Sequence, residues 1–399
     1  MKAKSNNNIA VVCDDLTEFF VIQGAIDELT KLKIPVDIII PYDSGYNGLA
    51  EHTLKEIKKA GYSPKNDAPK NKQYKILLTP YPGLKVVRRI NHIYHLQFPY
   101  GAISSKPIPT YLPDTRLDYD GIISFNKFDQ DFLGAYGAKV YPIPYWRYHN
   151  FKKDSKTTEK PTLLILPTFG EDTSCIKDLT NEIINDIKKH FHVITKAHHA
   201  IHFGVDGAEA LEKLKTLADE FYDSDTPIDV LLKKADIVMS DNSGAIFEAI
   251  CAKIPITLFA KDINSRRLKT INTLQYQLVQ EGFIPHAKKP EEILPMLLSI
   301  KSYTKKQLSL YNHLFLEQTS DPYQDFIKII NHYLSLDETK DCRKVLHDIM
   351  VKEWYDNREI IKRQEKEIND YRQHILAFEN STSWKITKPI RKIKKWKNH

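Results

Sequence analysis

Three polar runs in this sequence each leave an apolar run, and each carries residue types suited to handling phosphate. The first is Lys196-Ala197-His198-His199, after the apolar segment that starts at His192. Residues two apart in an extended segment project to the same side. Lys196 and His198 can therefore face one dianion, the ammonium as a fixed charge and the imidazole as donor or acid. The second is Ser240-Asp241-Asn242-Ser243-Gly244, between an apolar strand at 237–239 and an apolar-faced helix at 244–252. A helix N-terminus presents unpaired N–H groups and the positive end of its dipole. Ser240, Ser243 and Gly244 are small enough to let a phosphate approach that end. Asp241 suits phosphate poorly and is expected to cap the helix or orient a neighbour. Glu248, one turn in, could reach a ribose hydroxyl or simply face solvent. The third run is Thr168, Gly170 and Glu171, following the strand at 162–168. A further candidate is His95, near the end of the strand-like run 92–98 and before Pro99, Gly101, Ser104 and Ser105; on a strand-end loop it could act as a general base. His92, three residues earlier, is expected on the opposite face. The ordinary alternatives for these groups are a helix cap, a polar loop and a structural histidine. No Asp, Glu or Cys at ligand spacing accompanies His198 and His199, so no metal site is expected there.

These residues need elements that present them together. Apolar runs at 9–13, 35–41, 74–79, 92–98, 121–125 and 138–143 alternate with helix signals, including helices carrying Phe19 to Leu29 and residues 49–60, the latter closed by Gly61. A polar stretch at 150–160 follows, and the pattern restarts at 162–168, 192–198, 237–239 and 255–259, with helices expected at 174–189, 207–222 and 244–252. Buried runs interleaved with helices imply parallel sheets covered on both faces. Ligands of such sheets bind at the carboxyl ends of the strands, where all three polar runs lie. The expected fold is α/β, with two Rossmann-like domains facing across a cleft: 1–150 on the acceptor side and 151–336 on the nucleotide side, completed by helices from about 290 to 335.

Residues 337–380 form a further section, nearly free of Pro and Gly. Trp354, Ile361, Ile368 and Ile375 recur every seven residues, which predicts a long helix or weak coiled coil that could pair two copies through 338–379. Residues 381–399 contain seven Lys and Arg and no acid. They account for the whole net charge of +7, so the folded part is neutral and no nucleic-acid-binding surface is expected. In this tail Trp384, Lys385, Lys388, Arg391, Lys392, Lys394, Lys395, Trp396 and Lys397 interleave with isoleucines, a composition suited to an anionic membrane surface. The start lacks an apolar leader, and no window is apolar enough to cross a bilayer. The four widely spaced cysteines suit reduced thiols. Together these features suggest a cytoplasmic protein held peripherally on the inner face of a membrane.

Over about residues 75–270 the sequence resembles the CDP-glycerol glycerophosphotransferases of teichoic acid and capsule assembly. The similar segments are "ILPTFGE" (165–171), Lys196-Ala197-His198, and Ser240-Asp241-Asn242-Ser243-Gly244 followed by Pro255 and Asp262. His95 matches the histidine of that family's first-domain motif. Asn242 stands where the family has an aromatic residue, and Gly244 where it has a second serine. The closing segment is similar to tails of bacterial polysaccharide glycosyltransferases. The resemblance implies a GT-B fold and attack of a glycan hydroxyl on the β-phosphorus of CDP-glycerol, or of a related donor such as CDP-ribitol, releasing CMP. It implies His95 and His198 as catalytic residues, and Thr168, Lys196, Ser240, Asp241, Ser243, Gly244 and Glu248 around the donor. The acceptor would be a glycan, lipid-linked in a bacterial envelope. No cofactor is named, and whether a divalent metal assists stays open. The same turn would serve a nucleotide-sugar glycosyltransferase or epimerase. A non-catalytic scaffold with a degenerate GT-B fold is the other alternative.

Overall fold

The structure, a computed structural model, describes residues 8–42, 48–80, 89–99, 101–102, 119–128, 130–131, 139–155, 158–170, 174–203, 207–265, 272–317 and 320–337. In the last section it describes 353, 357, 360–361, 363–374 and 377. The chain divides into a unit Met1–Asp337 and a unit Glu338–His399.

The first half of the larger unit is a parallel sheet of β1 (Ile9–Val12), β2 (Val36–Ile39), β3 (Tyr74–Thr79), β4 (His92–Gln97), β5 (Gly121–Ser124) and β6 (Val140–Pro142), in the order β2-β1-β3-β4-β5-β6. The second half is a parallel sheet of β7 (Thr162–Leu166), β8 (His192–Lys196), β9 (Glu220–Tyr222), β10 (Ile237–Ser240), β11 (Ile256–Phe259) and β12 (His286–Ala287), in the order β12-β11-β10-β7-β8-β9. The expected alternation is borne out: β1, β5, β7, β10 and β11 are buried along their whole length, as strands covered on both faces must be.

The helices are α1 (Leu16–Lys31), α2 (Leu49–Lys59), α3 (Asn181–His190), α4 (Gly207–Leu217), α5 (Ile228–Lys234), α6 (Ala245–Cys251), α7 (Leu274–Gln280), α8 (Ile293–Leu298), α9 (Lys301–Leu314) and α10 (Pro322–Ser335). Asp15 starts α1, its carboxylate accepting from Glu18 N–H at 3.0 Å, and Glu18 accepts in return from Asp14 N–H at 2.6 Å. This reciprocal arrangement closes the end of β1. Gly61 ends α2 with φ at +91°, where a Cβ would be strained.

Three expectations change. The helix foreseen at 174–189 begins only at Asn181, because Thr180 caps it and Cys175 N–H is held by Asp241 instead. The helix foreseen at 207–222 stops at Leu217 and the chain turns into edge strand β9. The helices foreseen as completing the second half do not all stay there. α10 crosses back to the first: Tyr333 Oη donates to Asp120 O at 2.9 Å, Tyr141 Oη to Tyr333 Oη at 3.0 Å, and Phe326 packs edge-on to Trp146 at 5.4 Å.

In the smaller unit the described residues are helical, and Ile361 and Ile368 of the heptad seam are about half exposed. Among the described residues no helix is long and apolar enough to cross a membrane. Cys13, Cys175 and Cys251 are buried free thiols. The tail residues Trp384, Lys385, Lys388, Arg391, Lys392, Lys394, Lys395, Trp396 and Lys397 lie outside the described residues, as do Ser104, Ser105 and Glu171.

Candidate functional site

The second sheet's strand order decides which polar runs can meet. β7 lies between β10 and β8, so the loop after β7 touches both the turn after β10 and the one after β8. Asp241 makes the first junction. Its carboxylate accepts from Thr168 N–H at 2.9 and 3.0 Å and from Cys175 N–H at 3.0 Å. Asp241 is therefore a fully buried anchor for the 167–175 loop, the orienting role open to it from its charge. Phe169 makes the second junction, its ring 4.8 Å from that of His198.

The other members of the turn divide by their partners. Ser240, placed among the phosphate donors by sequence, is wholly buried and its hydroxyl donates to Leu166 O at 2.5 Å, which ties β10 to β7. Asn242 Nδ2 donates to Asp262 O at 3.1 Å. Ser243 Oγ accepts from Ala245 N–H at 3.2 Å, capping the start of α6. Gly244 has an ordinary right-handed φ of −64° and is partly exposed, so its value there is the missing side chain. Gly244 is thus the partly exposed member of the turn, Ser243 is buried where it closes the start of α6, and Ser240 and Asp241 brace the turn from below.

Lys196 ends β8 and donates from Nζ to Ala197 O at 2.9 Å and Ser224 O at 3.2 Å. Burial, then the nearby Arg147 cation, lower its pKa to about 8, against the pull of Asp223, Asp225 and Asp15. His198 Nδ1 accepts from Ala200 N–H at 3.2 Å, so in the neutral ring the proton sits on Nε2. The ring of His199 lies 4.0 Å from that of His198. His199 Nε2 is 3.3 Å from Asp15 Oδ2, which belongs to the first half. The carboxyl ends of β1 and β8 therefore meet across the crevice. Asp15, which also caps α1, was not among the sequence candidates; its place just past an apolar strand was the available signal.

Glu248 departs from both sequence expectations. It is 7% exposed, so it is not a solvated helix residue. Its oxygens are also committed within the chain, Oε1 accepting from Ala102 N–H at 2.8 Å and Oε2 from Tyr148 Oη at 2.6 Å. Asn126 Nδ2 donates to Ala102 O at 2.9 Å, completing the hold on that loop. Glu248 ties the second half to the first, and ribose binding by it loses its geometric basis. Burial raises its pKa, against Arg147, Tyr148 and Ala102 N–H, which lower it.

His95 lies inside β4 rather than on a loop past it, and is 3% exposed. Its Nε2 is 2.8 Å from Thr79 Oγ1, and its ring lies 4.4 Å from Tyr119. His92, expected on the opposite face, has its ring 5.4 Å away. These partners all belong to the first half, whereas Thr168, Lys196, His198, Ser243 and Gly244 gather in the second.

No protein-family model and no curated protein matches this sequence. Solved structures do. A histidine-to-asparagine variant of the wall teichoic acid polymerase TagF superposes with a TM-score of 0.53 at 13% identity, over 83% of this chain and 90% of that one. The same variant soaked with CDPG gives 0.54 at 11% identity, over 83% and 89%. A UDP-N-acetylglucosamine 2-epimerase structure from Listeria monocytogenes gives 0.54 at 11% identity, over 83% and 97%. At these identities the likeness is one of fold: two facing Rossmann-like sheets in the GT-B arrangement.

Proposed function

We propose that this chain is a GT-B transferase that moves glycerol phosphate, or a related polyol phosphate, from a CDP-activated donor to a hydroxyl of a cell-surface glycan. The observation that carries this reading is the gathering of Lys196, His198 and the small residues Ser243 and Gly244, which lead into α6, around the Thr168–Phe169 loop at the carboxyl ends of β7, β8 and β10. That is where a doubly wound sheet binds its ligand. The group supplies cation, imidazole and small residues, which is what a diphosphate needs. TagF, which shares the fold, is described as a wall teichoic acid polymerase and was soaked with CDPG, which supports the donor class.

In the proposed reaction the acceptor oxygen forms a bond to the β-phosphorus as the bond to the bridging oxygen breaks. CMP leaves with that electron pair, and a base takes the hydroxyl proton. Lys196 and His198 offset charge on the leaving phosphate, so catalysis is mainly positioning and electrostatics. Two imidazoles are candidates for the base. His95 fits the family resemblance but is buried against Thr79. His199 has a side chain 20% exposed and is oriented by Asp15 across the crevice. Access favours His199, with Asp15 holding the ring in the manner of a histidine–aspartate pair. His199→Gln is then expected to lower kcat by roughly 10²–10⁴-fold, with His95→Gln losing mainly stability. The basic tail would hold the enzyme on the inner membrane face, near a lipid-linked acceptor.

The test is a thermal-shift panel on the full chain with CDP-glycerol, CDP-ribitol, UDP-sugars and no nucleotide. Stabilisation by a CDP-polyol and its loss in Lys196→Met support the reading. Stabilisation by UDP-sugars alone replaces it with a nucleotide-sugar enzyme, and no response to any nucleotide leaves the scaffold.

A further inference from the structure

One row of side chains at the crevice rim is used by none of the chemistry above. His52 and Glu56 lie four residues apart on α2, so they share one face. Asp225, from the loop after β9, approaches them from the second half, with Oδ1 2.8 Å from His52 Nε2. One ligand atom from each of the three lies within 4.8 Å of the others. β2, which leads into α2, and β9 are the outer strands of their sheets, so this group sits one strand outward of the Asp15–His199 contact.

We propose that His52, Glu56 and Asp225 form a divalent transition-metal site that clamps the two halves together at the crevice rim. One imidazole nitrogen with two carboxylates is a donor set for Zn²⁺-type ions, whereas Mg²⁺ and Ca²⁺ prefer all-oxygen shells. Bonds of about 2.0–2.2 Å to all three ask only for small side-chain rotations from the present separations. The site is reachable from solvent, since the side chains of His52 and Asp225 are 36% and 39% exposed. The competing contact is weak: Glu56 pairs with Lys59 three residues on, whose side chain is 59% exposed, an arrangement that contributes little. Supporting contacts are built in. Ser224 Oγ lies 3.2 Å from Asp225 Oδ1, and Ser224 O accepts from Lys196 Nζ. A metal here would be joined to the phosphate-site lysine through one loop.

The site differs from the His198–His199 pair, where the sequence gives no ligand spacing. It depends on neither nucleotide nor turnover. The experiment titrates the nucleotide-free full chain with Zn²⁺ by calorimetry, follows Co²⁺ by its visible spectrum, and records Tm with and without metal. The expected result is one ion per chain, a raised Tm, and no rise with Mg²⁺. His52→Ala and Asp225→Asn should each lower Zn²⁺ affinity at least tenfold while leaving the metal-free Tm near that of the parent; Glu56→Gln should do so to a smaller degree. Zn²⁺ binding that survives both His52→Ala and Asp225→Asn would overturn the assignment, as would absence of Zn²⁺ binding by the parent chain at about 100 μM.

Discussion

Replacing Glu248 separates its role as a clamp from the role the sequence suggested for it. Glu248→Ala removes the acceptor of both Ala102 N–H and Tyr148 O–H in a buried place. Each donor left unpaired costs about 1–3 kcal/mol, so the loss should be about 2–6 kcal/mol. Glu248→Gln behaves differently. The amide oxygen still accepts from Ala102 N–H, and the amide nitrogen can donate to Tyr148 once that hydroxyl rotates. Its cost should stay within about 1 kcal/mol. The pH dependence separates the two states further. Burial raises the folded-state pKa of Glu248, so the folded chain binds the proton more tightly than the unfolded chain does. That contribution is fully present below the unfolded glutamate range and is lost as pH rises through the folded value. Glu248→Gln should therefore gain stability relative to the parent on going from about pH 4 to about pH 8. Urea midpoints across that range measure it, together with donor affinity of the glutamine variant. A glutamine variant that is as stable as the parent at every pH yet loses donor affinity tenfold or more would refute the clamp and restore a ribose contact.

Three other perturbations follow from the same geometry. Lys196 titrates at about 8, being cationic below and neutral above, so donor affinity should fall as pH rises through that value. In Lys196→Met the affinity is weaker and that step is absent; a shared pH profile would exclude Lys196 as the phosphate cation. Asp241→Ala strips the acceptor from Thr168 N–H and Cys175 N–H, and burial followed by the Asp241 charge holds the Cys175 thiol pKa well above its usual value. Alkylation of Cys175 should speed up, with Cys13 and Cys251 unchanged; equal rates at Cys175 would count against the anchor. Removing 381–399 takes away seven cations, each contributing about 1 kcal/mol near an anionic surface. Sedimentation with anionic vesicles should fall sharply, and undiminished binding would rule out the tail as the membrane contact.

The strands were legible because a parallel sheet covered on both faces writes its strands as continuous apolar runs. YKILLT at 74–79 and TLLIL at 162–166 carry that pattern. β9 was missed because Glu-Phe-Tyr at the sheet edge is only half buried and continues a helical pattern without a break. β12 has two residues, too few to show any period. α10 was legible as a helix but not in its placement, since its apolar face fits either half; Tyr333 reaching Asp120 settles that only in three dimensions.

The site shows the same division more sharply. Residue type and position after a strand were enough to find Lys196, His198 and the 240–244 turn, because ligand chemistry of α/β sheets is confined to those ends. They could not say which polar atoms the fold would use for itself. Ser240 has the type of a phosphate donor and Asp241 stands beside it, but their partners, Leu166 O, Thr168 N–H and Cys175 N–H, come from β7 and the loop after it, more than sixty residues earlier in the chain. Glu248, Asp15–His199 and His52–Asp225 are more distant still, each joining one half to the other. Such pairs leave no periodicity. Their energies are also unequal. The rim pair His52–Asp225 is more than a third exposed and contributes about 0–1 kcal/mol, whereas the buried Glu248 contacts are worth several times that. Of these two contacts Glu248 therefore resists separation of the halves more than the rim pair does, so a ligand bridging the rim has closure left to add.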